Sequence, residues 1–198
     1  FTYNEEDVTL DVAWDTTSFV EGAFGEQVIY GVFSDDELYD QYNILRGKIK
    51  LIVNVLPYEF ELNEETNEYA ITKYYGNSEE EVIPETYNDL PVSSLNEKAF
   101  ESITTLKRLT IPTTIKTIAQ SAVYKCTNLE YIGIPFISGS SATNGYFGYM
   151  FGSTTLVPSS LVEVEIFEGI TTIPSSAFSG CENIVTIHIP SSVNKMNS

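Results

Sequence analysis

The stretch Leu106–Cys126, LKRLTIPTTIKTIAQSAVYKC, decides the fold. Moved on by 23 residues, its apolar positions meet Leu129, Ile132, Ile134 and Pro135 in LEYIGIP. Moved on by 55, they meet Leu161, Val164, Ile166, Ile170, Ile173, Ala177 and Cys181 in LVEVEIFEGITTIPSSAFSGC. Another 23 reaches Ile184, Ile187, Ile189, Pro190, Val193 and Met196. Backwards by 23, Val92, Leu95, Ala99, Phe100 and Ile103 stand under Ile115, Ile118, Ala122, Val123 and Cys126. Because 55 is 23 plus 32, the repeat is intact with one insertion of nine residues. A fixed period of this size means stacked supersecondary units.

The spacing within a unit dictates its local structure. Leu109 and Ile111 alternate with Arg108 and Thr110 as a strand does. Pro112 has no N–H to donate and ends the pairing. Ile115 and Ile118 turn inward along a return segment, Ala122 and Val123 open a short helical turn, and Cys126 returns to the core. Ser94 and Glu97 have capping-box spacing ahead of Ala99 and Phe100, which predicts a short helix there. Each unit adds one strand to a parallel sheet and hides its apolar side only against its neighbours.

From Glu68 onward, EYAITKYYGNSEEEVIPETYNDLPVSSLNEKAF resembles the opening of a BspA-type leucine-rich repeat array. The later IPTTIKTIAQSAVYKCTNLEYIGIP and ITTIPSSAFSGCENIVTIHIPSSV fit the same pattern. The expected architecture is therefore an α/β solenoid: a leucine-rich repeat array with a parallel sheet and short helices over 66–198. The resemblance implies a secreted or cell-surface bacterial protein that adheres to host proteins or to other cells, without catalysis and without cofactors.

Residues 1–65 read as a small α+β or β-rich N-terminal domain. Their default role is to cap the apolar end that a solenoid otherwise exposes. Val8, Leu10, Val12 and Trp14 alternate in part with Thr9, Asp11 and Ala13, and Phe1–Trp14 resembles the closing strand of small β-rich repeats in bacterial surface proteins. Ser34 before Asp35, Asp36 and Glu37 predicts a helix over about 35–46, ended by Gly47. Strands are expected at 48–55, 58–62 and 68–75, the last two around an Asn-rich turn.

The formal charge of −18 argues against nucleic acid and anionic membrane surfaces, which need a basic footprint. The acid is uneven: 16 Asp and Glu in residues 1–68, but only six, against five Lys and Arg, in 101–198. No apolar run approaches the ~18 residues of a spanning helix. The sequence starts at Phe1, so it reads as a mature chain or an excised piece, and its last unit stops before its expected helix.

Cys126 and Cys181 hold the same position two units apart. Strands spaced by about 4.8 Å put them near 10 Å, beyond the ~7 Å that a disulfide tolerates between Cα atoms. Both are expected as small core residues, with no metal site.

Outward strand positions are where such an array can bind: Arg108, Thr110, Tyr131, Gly133, Glu163, Glu165, Thr186 and His188. His188 has no aligned partner for catalysis and reads as a surface histidine. The insertion SGSSATNGYFGYMFGSTT gives Phe147 and Met150 core positions and leaves Tyr146, Tyr149 and Phe151 as candidates for exposure. No nucleophile elbow, phosphate loop, dinucleotide fingerprint or zinc-protease motif is present in the sequence. The expected partner is a protein on a host or another cell, or a glycan. A spacer or accessory module of a larger wall-associated enzyme is the alternative.

Overall fold

The computed structural model describes residues 2–3, 6–7, 12–21, 23–33, 48–142 and 145–197. The chain divides into two compact units, Phe1–Pro57 and Tyr58–Ser198.

In the first unit, β1 (Thr2–Tyr3) pairs antiparallel with β2 (Glu6–Asp7). β3 (Val12–Asp15), β4 (Gly25–Phe33) and β5 (Lys48–Val55) form an antiparallel sheet in chain order. Trp14 stands opposite Gly31, where a Cβ would come within 2.9 Å of the indole and 2.4 Å of Val12 Cγ1. Only glycine fits under that ring. The Gln27 amide organises the loop before β4, accepting from Val20 N at 2.8 Å and donating to the Val20 and Ala23 carbonyls. The strand expected at 48–55 is β5. The helix expected over 35–46, and Val8 and Leu10 of the first strand pattern, lie outside the described residues.

The second unit opens with the hairpin β6 (Tyr58–Asn63) and β7 (Glu68–Tyr74), turned by Asn63, whose side-chain oxygen accepts from Glu65 N and Thr66 N. There follow β8 (Glu80–Val82), β9 (Thr86–Tyr87), β10 (Leu90–Leu95), β11 (Arg108–Thr110) and β12 (Thr117–Ile118). Then come β13 (Tyr131–Ile134), β14 (Glu163–Ile166), β15 (Thr172–Ile173), β16 (Thr186–His188) and β17 (Lys195–Met196). β6 pairs with the strand that leads the array, so the hairpin belongs to this unit. The division thus falls before Tyr58, upstream of the 65/66 boundary read from the sequence.

β8, β11, β13, β14 and β16 form one all-parallel sheet. Leu109 lies opposite Ile132, Ile132 opposite Val164, and Val164 opposite Ile187. Those are steps of 23, 32 and 23 residues, so the nine extra residues are absorbed between β13 and β14. The return segments make a second ladder: β7, β10 and β12 run parallel with β6 antiparallel at the edge of β7, and β15 pairs parallel with β17.

A third ladder runs through the turns. Tyr74 N donates to Ala99 O, Phe100 N to Ala122 O, Val123 N to Met150 O, and Phe147 N to Ala177 O. Between the ladders lies a continuous core in which Leu95, Ala99, Phe100, Leu106, Leu109, Ile118, Val123, Ile132 and Val164 are all buried. Burying each large side chain contributes ~1.5–3 kcal/mol.

The short helices expected after each return segment are turns instead. Lys98, Ser121 and Ser176 hold φ of 61, 64 and 58°, and Ser102, Lys125 and Gly180 hold 62, 59 and 76°. Both sets recur at the repeat spacing. Two left-handed residues four apart cannot continue a right-handed helix, so each segment closes as consecutive turns, with Glu101 N on Lys98 O and Tyr124 N on Ser121 O. Among the described residues the helical segments are 3-10 turns at Phe147–Phe151 and Thr154–Leu156. Ser94 caps no helix. It sits in β10, opposite Ala70 and Thr117.

Candidate functional site

Pairing register assembles the outward positions of the parallel sheet into two rows. One runs Glu80, Arg108, Tyr131, Glu163, Thr186, and the other Val82, Thr110, Gly133, Glu165, His188. They face outward because the residues between them, such as Leu109, Ile132 and Val164, fill the core.

The side chains of these rows are tied across strands. The Arg108 guanidinium lies 3.8 Å above the Tyr131 ring centre, a cation–π contact. The Tyr131 hydroxyl donates to Glu165 Oε2 at 2.6 Å. Gly133 leaves room for Phe167: a Cβ there would lie 2.6 Å from the Phe167 ring and 2.9 Å from the Tyr131 oxygen. His188 Nε2 lies 2.9 Å from Glu163 Oε1. Burial, then the Glu165 contact, pushes the Tyr131 hydroxyl up to about 12, while Arg108 opposes the rise.

Arg108, Thr110, Glu163 and Glu165 are half-buried, and Thr186 and His188 are exposed. Tyr131 is only 7% exposed, which corrects its reading as an open contact residue. Its ring is roofed by Arg108 and its oxygen is held by Glu165. It acts as the pivot of the face.

The insertion keeps Phe147 and Met150 in the core, as the alignment requires. Phe151 is fully buried, against the expectation of exposure. The 3-10 turn eclipses Phe147 with Met150, three residues apart, and Phe151 is buried beside them. Phe151 then packs 5.5 Å from Phe147, which sits 5.0 Å from Phe178. Tyr146 remains 39% exposed, edge-on to the half-buried Tyr149 at 6.3 Å.

A second concave surface was not foreseen. It lies on the outward side of β7, β10 and β12, floored by Ala70, Ser94 and Thr117, side by side on three strands. The Lys116 ammonium pairs there with the Glu68 carboxylate. Lys116, then Ser93, holds the Glu68 carboxyl below the usual range. The signal was present in the sequence, since a small residue precedes each inward Ile71, Leu95 and Ile118. Assigning Ser94 to a helix cap concealed it.

Both cysteines are free thiols, Cys126 buried and Cys181 half-buried. Cys126 donates to Phe100 O at 3.0 Å, and burial pushes its thiol up to about 12. Among the described residues, no group of three His, Cys, Asp or Glu is placed to hold a metal ion. No helix among them is long and apolar enough to cross a membrane.

Residues 73–198 match the family model of the BspA type leucine rich repeat region, in six copies. This chain belongs to the BspA-type leucine-rich repeat family. In this BspA-type chain the repeats are units of 23 residues, with one of 32. Similar solved structures include a leucine rich cell surface protein from Faecalibacterium prausnitzii, 28% identical over 71% of this chain and 43% of that one, with a TM-score of 0.44. Another is a leucine-rich repeat protein from Bacteroides ovatus, 23% identical over 71% and 42%, with a TM-score of 0.42. A leucine-rich repeat protein from T. pallidum is 18% identical over 71% and 83%, with a TM-score of 0.38. The chain spans less than half the length of the first two. No curated protein matches it.

Proposed function

We propose that this chain is a non-catalytic module of an extracellular or bacterial cell-surface protein. It engages a protein partner in adhesion through the outer face of β8, β11, β13, β14 and β16. The observation that carries this reading is the linkage of Arg108, Tyr131 and Glu165. Arginine and tyrosine are the residue types that dominate interface energetics, and here their geometry is set before any partner arrives. The surface location rests on the family. Thiols kept protonated by burial favour a non-catalytic role.

We further propose that residues 66–198 form a solenoid whose first units are covered by β6 of the same compact unit. The aromatic packing of β6 supports this covering. Tyr58 lies 5.1 Å from Tyr74, and Phe60 stacks on Tyr87 at 4.0 Å.

The test is a biosensor panel of purified extracellular-matrix and bacterial surface proteins, read against the chain and its Arg108→Ala and Glu165→Lys variants. The expected result is saturable binding to a protein that both variants weaken at least tenfold with unchanged melting temperature. Binding that survives both changes, or none across the panel, overturns the assigned face. Turnover of a peptide or glycoside by the chain overturns the non-catalytic role.

A further inference from the structure

We propose that the groove over Ala70, Ser94 and Thr117 is a carbohydrate subsite that takes a neutral oligosaccharide. It lies on the return-strand sheet, away from the face assigned above, and stands independently of it.

Three features carry the assignment. The first is shape. The register sets Ala70, Ser94 and Thr117 abreast on adjacent parallel strands, and all three point outward because Ile71, Leu95 and Ile118 point in. Strands about 4.8 Å apart make this floor ~10 Å wide, and its side chains are too small to fill it. A groove results without any movement.

The second is hydrogen-bonding chemistry. The Ser94 and Thr117 hydroxyls each donate and accept, and the Asn96 amide does both through separate atoms. Glu68 supplies carboxylate acceptors beside the Lys116 donors. A sugar presents adjacent hydroxyls that also donate and accept, so both directions are met within one ring.

The third is charge and apolar content. Lys116 is already paired with Glu68, so no free cation in the groove awaits a sulfate, phosphate or sialic acid, and Glu61 on the lining repels them. A protein contact would need a large anchor such as Trp, Tyr or Arg, and the sole large apolar group lining the groove is Leu62. The chemistry left is polar and uncharged.

The experiment uses the full chain on an array of defined oligosaccharides, neutral gluco-, galacto-, manno- and N-acetylated forms beside sulfated and sialylated ones. Titration calorimetry of the best neutral hit follows, at sugar concentrations up to about 1 mM. Ser94→Trp and Thr117→Trp each fill the groove from an outward position, and Glu182→Lys, at an exposed position outside the groove lining, is the control. A neutral oligosaccharide should bind, both tryptophan variants should lose at least tenfold in affinity at unchanged melting temperature, and the control should bind normally. If Ser94→Trp fails to fold, Thr117→Trp, at an exposed site, decides alone. Neutral sugar bound equally by the tryptophan variants overturns the site. Binding of charged sugars alone, or no binding on the array, overturns the ligand class.

Discussion

Glu81 stands directly opposite Leu109 across β8 and β11, in the same row that carries Ile132, Val164 and Ile187 further along. A carboxylate thus opens a row of core hydrophobes. It is tolerated because two hydroxyls reach it, Tyr58 at 2.5 Å and Tyr74 at 2.6 Å. Replacing Glu81 by leucine would restore the repeat pattern yet take away the acceptor that both hydroxyl protons use, and Tyr74 is fully buried. Glu81→Leu should therefore cost about 2 kcal/mol in urea unfolding, and Glu81→Leu with Tyr58→Phe and Tyr74→Phe should return to within ~1 kcal/mol of the parent. Equal stability of the single and triple variants would contradict the account.

The same contacts set an alkaline limit. Burial, then the Glu81 hydrogen bond, raises the Tyr58 and Tyr74 hydroxyls well above the ordinary 10.0. The folded state keeps these protons where the unfolded chain gives them up. Their contribution is complete below pH 10 and is lost as pH rises from there toward the folded-state values. Melting temperature should thus fall steeply above pH 10, and Tyr58→Phe with Tyr74→Phe should flatten that limb.

The turns make a conformational prediction. Gly180, at φ 76°, occupies the place of Ser102 and Lys125, and a Cβ there would meet nothing nearer than Thr154 at 3.5 Å. Space is available, so only the backbone conformation resists a side chain. Gly180→Ala should cost ~1 kcal/mol, and the reciprocal Ser102→Gly, at an exposed site, should gain up to ~1 kcal/mol. Thermal melts of the two variants should shift in opposite directions.

The repeat was legible because core burial enforces it. Leu109, Ile115, Ile118, Ala122, Val123 and Cys126 are all buried, and the 23 and 32 steps reappear as strand register. What escaped reading depends on neighbours distant in sequence or on backbone angles. Lys98 and Ser121 give no local sign of a left-handed φ, so the Ala-Phe turns read as helices. Ser94 and Glu97 satisfy a capping pattern equally well from a strand. Tyr131 alternates outward as expected, but its covering by Arg108 needs the adjacent strand. Phe151 falls inward against Phe147, a contact within the insertion that the repeat alignment does not contain.

Glu168 contributes to the acid side of stability. Its carboxylate accepts from Ser191 N at 3.0 Å, Ser191 Oγ at 2.7 Å and Ser192 N at 3.0 Å, joining the segment after β14 to the one after β16. The serine contacts, Ser191 first, hold it below the usual 4.5. A depressed carboxyl stabilises above its unfolded value, and the effect fades as pH falls through the lower folded value. Stability should decline below pH 4.5, and Glu168→Gln should lower the neutral plateau while weakening that decline. Urea midpoints at pH 7 and pH 3.5 test both parts.

The two thiols share a repeat position but not an environment. Cys126 is enclosed and bonded to Phe100 O, whereas Cys181 is half-buried, its thiol raised by burial alone. Thiolate is the reacting species, and it forms more readily where the pKa rises less and water reaches the sulfur. An alkylating reagent at pH 8 should therefore give a single adduct on Cys181 in the native chain. Cys126 should be labelled only on unfolding, so peptide mapping would find its modification rising with denaturant. Modification of Cys126 in the absence of denaturant would show that the turn ladder between Phe100 and Ala122 opens in the folded protein.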